Sequence, residues 1–143
     1  MNINKLSHVV WDCKYHIVFL PKYRYKVFTK DVKEAVRDEI KKLCLWMKVG
    51  IIEGHVCKDH VHLCLSIPPK YSVSNVIGKL KGKTAIRMFM KFPDLRKRYW
   101  GSHFWAKGYF ANTVGKNEEM IKQYIKDQEK LDRLENQGYL FSK

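Results

Sequence analysis

No stretch of this chain approaches the ~20 consecutive apolar residues that a helix needs to cross a bilayer. The amino terminus, Met1-Asn-Ile-Asn-Lys5, also lacks the apolar core of a signal peptide. The four cysteines (Cys13, Cys44, Cys57 and Cys64) include no CxxC pair, which excludes a disulfide scaffold and points to a reduced, cytoplasmic protein. Acidic residues are scarce: 14 Asp and Glu stand against 28 Lys and Arg, a formal charge of +14. Such an excess repels itself in a compact chain, so a polyanionic partner is expected, nucleic acid rather than a membrane surface. No linker, repeat or low-complexity tract interrupts the sequence, and residues 1–143 read as a single domain. Hydrophobic residues at 45% and aromatics at 13% exclude disorder.

Between these absences the chain alternates strands and helices. Val9, Trp11, Cys13, Tyr15, Ile17 and Phe19 repeat every second residue and predict one long strand, ended by Pro21. The basic, aromatic run Lys22-Tyr-Arg-Tyr-Lys26 follows, with Arg24 a candidate DNA contact. Asp31 and Glu34 have capping-box spacing and predict a helix with Val32, Val36, Ile40, Leu43 and Met47 inward. A second strand is expected from Gly50 to Val56, and a third through His60, closed by Pro68-Pro69. A helix opening near Ser72 or Ser74 carries Val76, Ile77, Leu80 and Met88 on its core side. On that helix Lys79, Lys83, Arg87 and Lys91 recur every four residues as a basic stripe suited to phosphates. Pro93 should stop it, and residues 104–113 read as a hairpin or bulged strand pair around Gly108. A terminal helix is expected at about 117–135, followed by a tail at 136–143. The order β-α-β-β-α-β plus a terminal helix predicts a ferredoxin-like α+β sandwich.

The third strand carries the first chemical signal. Val61, Leu63, Leu65 and Ile67 alternate as its buried face, so His60 and His62 project together from the other, roughly 7 Å apart. Two imidazoles spaced by a rigid strand make a good start for a metal site.

The terminal helix carries the second, Tyr124-Ile-Lys-Asp-Gln128. Tyr124 and Gln128 stand one turn apart and point the same way, while Ile121 and Ile125 lie on the neighbouring face and can dock the helix. A tyrosine beside a metal site in a basic protein suggests a nucleophile for a phosphodiester. A free phenol ionises near ~10, so holding phenolate at neutral pH would cost about 4 kcal/mol. A divalent cation on the scissile phosphate offsets this by neutralising the charge that develops there.

Four segments, taken together and in order, resemble a known family. They are Tyr15-His-Ile-Val-Phe-Leu-Pro-Lys-Tyr-Arg24, Asp59-His-Val-His62 followed by Ser66-Ile-Pro-Pro-Lys70, Trp105-Ala-Lys-Gly-Tyr-Phe110, and Tyr124-Ile-Lys-Asp-Gln128. The family is that of the small single-tyrosine HUH transposases, whose insertion sequences move as single-stranded DNA. The resemblance implies a ferredoxin-like fold and a cytoplasmic protein of a bacterium or archaeon. It also implies a homodimer with active sites shared between protomers, and recognition of hairpins near the element ends. It maps the metal-binding histidines onto His60 and His62, the nucleophile onto Tyr124 and a further metal ligand onto Gln128. Attack by that tyrosine would leave a 5′-phosphotyrosine and a free 3′-hydroxyl. Magnesium prefers oxygen ligands, so two imidazoles suit Mn2+ at least as well as Mg2+.

Two other function classes fit parts of the pattern. A non-catalytic module for single-stranded nucleic acid would use the same scaffold and charge, with Tyr23, Tyr25, Trp100, Trp105 and Tyr109 as stacking platforms or as core. A zinc-stabilised structural domain would recruit Cys57 and Cys64, which flank the histidine pair. His16 and His103 read as ordinary polar residues.

Overall fold

The computed structural model describes residues 4–6, 9–11, 13–23, 27–98, 103–113 and 118–136. Its elements run β1 (Asn4–Leu6), β2 (Val9–Trp11), β3 (Lys14–Phe19), α1 (Lys30–Met47), β4 (Gly50–Val56) and β5 (Val61–Ser66). They continue with α2 (Val73–Lys91), α3 (Pro93–Arg98), β6 (Phe110–Asn112) and α4 (Glu118–Asn136). Four strands form an antiparallel sheet in the order β4-β5-β3-β6. With α1 and α2 as crossovers, this is the ferredoxin-like α+β arrangement expected from the element order.

Alternation divides the sheet into two faces. Ile17, Phe19, Val61, Leu63 and Leu65 turn to one side and are sealed by Val36, Ile40 and Leu43 of α1 and Val76, Ile77 and Leu80 of α2. Phe19 and Phe28 meet the Trp105 ring edge-on, with centroids 4.7 and 5.9 Å away. Trp105 is thereby a core residue, and its indole N–H donates to Thr84 Oγ1 at 2.9 Å. The other side carries a smaller apolar cluster, Val18, Leu20, Ala106 and Ile121, with Phe110, Tyr124 and Ile125 packed on it.

Two sequence expectations about these elements need correction. The long strand over residues 9–19 is broken: β2 pairs with β1, and β3 joins the four-stranded sheet. Pairing with β5 ends where Ile67 N–H donates to Cys13 O at 2.9 Å, because Pro68 and Pro69 offer no further donors. Helix α1 begins earlier than Asp31, since the Thr29 hydroxyl accepts from Val32 N–H and caps it. Pro93 ends α2 as expected, but it also opens the short α3 as its first residue, the position where a missing N–H does least harm.

Residues 104–112 form one interrupted edge strand rather than a hairpin. Phe110, Ala111 and Asn112 pair with Val18, Ile17 and His16. Further along the same edge Trp105 bridges Pro21, Ala106 N–H donates to Leu20 O and Lys22 N–H to Phe104 O. The intervening bulge contains Gly108 at φ 82°, a conformation that glycine adopts freely. Lys81 of α2 donates from Nζ to the carbonyls of Ala106 at 2.9 Å and Gly108 at 2.7 Å, clamping the bulge. The predicted helix start at Asn117, and Arg24, Tyr25 and Trp100, lie outside the described residues.

Candidate active site

The histidine pair sits where the β4–β5 hairpin turns. Val56 pairs with Val61, and Cys57 N–H donates to His60 O at 2.8 Å, closing a tight loop over residues 57–60. His60 ends that loop and His62 is the second residue of β5. The ring Nδ1 of His60 and Oδ1 of Asp59 are 2.8 Å apart, with both side chains less than one-fifth exposed.

Strand register shows what surrounds His62, because directly paired residues share a face. His62 stands between His55 on β4 and Val18 on β3, and Val18 in turn pairs with Phe110 on β6. The neighbouring row is Glu53, Cys64, His16 and Asn112. A register shift between Ile51 and Glu53 puts Glu53 and His55 in these rows; without that bulge they would fall on the core side. Glu53 Oε2 and His55 Nε2 lie 3.1 Å apart at the exposed edge. The rings of His16 and His62 are 5.7 Å apart and tilted by 54°. His62 is buried, and its Nε2, like Nδ1 of His16, is closed off from solvent.

Helix α4 lies across this same face. Ile121 seals it to Val18, Leu20 and Ala106, and Tyr124 and Ile125 pack against that cluster. The Tyr124 ring meets Phe110 with centroids 6.0 Å apart. Gln128 follows one turn later, half-buried like Tyr124. The docking role expected of Ile121 and Ile125 is thus the one they fill, and the sheet face bearing His62 is the face that the tyrosine helix covers.

The basic stripe is elsewhere. Helix α2 packs on the core side of the sheet, so Lys79, Lys83, Arg87 and Lys91 are exposed on the side opposite α4. Lys79 Nζ lies 5.7 Å from the centre of the Trp46 ring, and Arg87 Nε is 3.7 Å from Glu39 Oε1. Arg24 is outside the described residues.

Sequence reasoning missed four neighbours of the histidine pair: His16, Glu53, His55 and Asp59. Three of them arrive from other strands through register and a bulge, for which the sequence holds no signal. Asp59 is different, since it adjoins His60 and could have been weighed as its partner.

His60, His62 and Gln128 carry nitrogen and oxygen donors of the kinds a divalent cation can take. Asp59 supplies a carboxylate at Nδ1 of His60, and Gln128 carries a side-chain carbonyl on α4. Among the described residues no three His, Cys, Asp or Glu side chains converge as a metal-holding group.

Comparison with known proteins agrees with the fold. A family model described as transposase IS200 like matches residues 9–128. The chain is 46% identical over 132 residues to the transposase for insertion sequence element IS200 of Salmonella typhimurium, spanning 92% of this chain and 87% of that one. A solved Deinococcus radiodurans protein assigned as a transposase superposes with a TM-score of 0.79 at 30% identity, over 87% of this chain and 97% of the other. A REP-associated tyrosine transposase, solved bound to a REP hairpin, superposes with a TM-score of 0.56 at 11% identity, over 97% and 76% of the two chains. That last likeness is one of fold alone.

Proposed function

The chain belongs to the IS200-like transposases, and from that premise we propose that it is a metal-dependent transposase of single-stranded DNA, with Tyr124 as its nucleophile. The observation that supports this reading is the packing of Tyr124, on α4, against the apolar cluster of the sheet face that also carries His62.

In the proposed reaction the Tyr124 hydroxyl attacks the scissile phosphorus. A bond forms from the phenolic oxygen to phosphorus, and the bond from phosphorus to the 3′-oxygen breaks. The phenolic proton leaves to solvent, and the departing oxygen takes up a proton as a free 3′-hydroxyl. The downstream strand stays on the protein as a 5′-phosphotyrosine, so the phosphodiester is conserved and attack by a 3′-hydroxyl reverses the step on a new junction. His60, His62 and the Gln128 carbonyl would hold Mg2+ or Mn2+. When bound, that cation polarises the phosphorus and offsets the charge that builds on the phosphate oxygens. Packing of Tyr124 against Phe110 restricts the phenol ring before DNA arrives, which lowers the entropy lost on attack.

The partner in this reading is a DNA hairpin at each element end, bound by a homodimer that shares its active sites. Membership of the transposase family and the charge of +14 support a DNA partner. The basic stripe on α2, on the far side of the sheet from α4, leaves duplex binding and strand cleavage on separate surfaces.

The test uses single-stranded oligonucleotides covering the DNA that flanks the reading frame, labelled at the 3′ end. They are incubated with protein and Mn2+, Mg2+ or chelator and run on a denaturing gel. Labelled protein that forms only with metal supports the proposal. Tight hairpin binding with no covalent product in any metal overturns it and leaves a binding module.

A further inference from the structure

We propose that Asp59 is a positioning residue that fixes His60 as the Nδ1–H tautomer and so aims its Nε2 at the cation. The inference rests on the proposed metal role of His60 and adds a residue to it.

Neutral imidazole carries one proton on two nitrogens, and the hydrogen bond at one nitrogen decides which of them remains a donor to metal. Asp59 Oδ1 lies 2.8 Å from His60 Nδ1. An ionised carboxylate only accepts, so Nδ1 must donate, and the lone pair is left on Nε2. The bond is sheltered, with His60 17% and Asp59 19% exposed, where competition from water is weaker than at an open surface.

The backbone keeps both groups in place. The bond from Cys57 N–H to His60 O closes the loop at its ends, and Val56–Val61 pairing anchors it to the sheet. Asp59 therefore meets the His60 ring from an adjacent position in a short, pinned turn, and little entropy is lost in aligning them. The neighbouring imidazole–carboxylate pair, His55 and Glu53 at 3.1 Å, has side chains 57% and 42% exposed. It lies on the open sheet edge and lacks that shelter.

A carboxylate behind a ligating histidine both orients the ring and raises its basicity, and its loss typically lowers metal affinity by roughly 10–100-fold. Leucine at this position matches the shape of aspartate and removes the acceptor. Asparagine keeps an acceptor oxygen and removes the charge.

The experiment uses the full chain labelled with 15N-histidine. Long-range 15N–1H spectra of metal-free protein read the His60 tautomer, and titration with Mn2+ reads affinity. Wild type should show His60 protonated at Nδ1. Asp59→Leu should admit the Nε2–H tautomer and weaken Mn2+ binding by roughly 10–100-fold. Asp59→Asn should keep the wild-type tautomer and lose less affinity, which supplies a reading even if the leucine variant fails to fold. Hairpin binding in chelator should be the same in all three. An unchanged tautomer in Asp59→Leu overturns the proposal, including the case where affinity falls because Asp59 itself ligates the metal. An Asp59→Asn variant as weak as Asp59→Leu, or one that loses the wild-type tautomer, overturns it too. His60→Ala separates this inference from the one beneath it. If His60→Ala weakens Mn2+ binding and Asp59→Leu does not, only the positioning role fails; if His60→Ala binds Mn2+ like wild type, the metal role of His60 fails with it.

Discussion

Tyr124 and Phe110 meet ring to ring, centroids 6.0 Å apart and planes tilted by 45°, so the candidate nucleophile is braced by the edge strand β6. Phe110→Ala removes that brace and leaves the phenol chemically intact. Single-turnover cleavage should slow by roughly 10–100-fold, the usual consequence of misplacing a reacting group by about 1 Å. Hairpin affinity in a gel-shift assay should stay within about twofold, as expected for a residue that only orients the nucleophile.

His60→Ala and His62→Ala should each cut Mn2+-dependent cleavage by at least about 100-fold, with partial recovery at high metal concentration. The check is the rate of covalent adduct formation across a metal titration. Wild-type protein in chelator should match the variants, because removing the cation and removing its ligands delete the same interaction.

The stripe on α2 yields a prediction about salt. Lys83 is exposed, and Arg87 is held near Glu39 at 3.7 Å. Replacing both by alanine should weaken hairpin binding and flatten its log–log salt dependence by up to about one unit for each phosphate no longer neutralised. Adduct formation at saturating DNA should be unchanged, since α2 and α4 cover opposite faces of the sheet. An unaltered salt slope would put the hairpin on another surface.

Lys81 clamps the bulge that leads into β6, and burial pushes its ammonium below the usual lysine range. Lys81→Met leaves the carbonyls of Ala106 and Gly108 without this donor and should lower stability by about 2 kcal/mol in urea denaturation. A lysine whose folded pKa is depressed binds its proton less tightly folded than unfolded. Its contribution therefore rises with pH up to the ordinary value of 10.5. The advantage of wild type over Lys81→Met should widen as the pH rises toward the unfolded lysine's 10.5, not fade.

Much of this was legible in the sequence, for physical reasons that differ between elements. Gly50–Val56 and Val61–Ser66 follow from periodicity, and α2 from Ser72 with its run of core residues. The division of β3 did not, because it depends on which strand lies opposite: β5 runs out of donors at Pro68-Pro69, and nothing near Trp11 announces that. Residues 104–113 read as a hairpin or a bulged strand pair because Gly108 marks a bend, and the bend is a bulge held by Lys81, 27 residues earlier in the chain. In the site, local spacing pairs His60 with His62 and Tyr124 with Gln128, while the roles expected of them rest on the resemblance of four segments to a known family. His16, Glu53 and His55 reach His62 only through strand pairing and a register shift.

The central claim is that Tyr124 becomes covalently joined to a DNA 5′-phosphate, and peptide mapping of the adduct tests it most directly. Wild type and Tyr124→Phe are incubated with flanking single-stranded DNA and Mn2+, digested with nuclease and trypsin, and analysed by mass spectrometry. The account predicts a nucleotide adduct on the tryptic peptide Gln123–Lys126, with Tyr124→Phe binding the hairpin normally and forming no adduct. An equal yield of adduct from Tyr124→Phe, or an adduct on another peptide of the wild type, would contradict it.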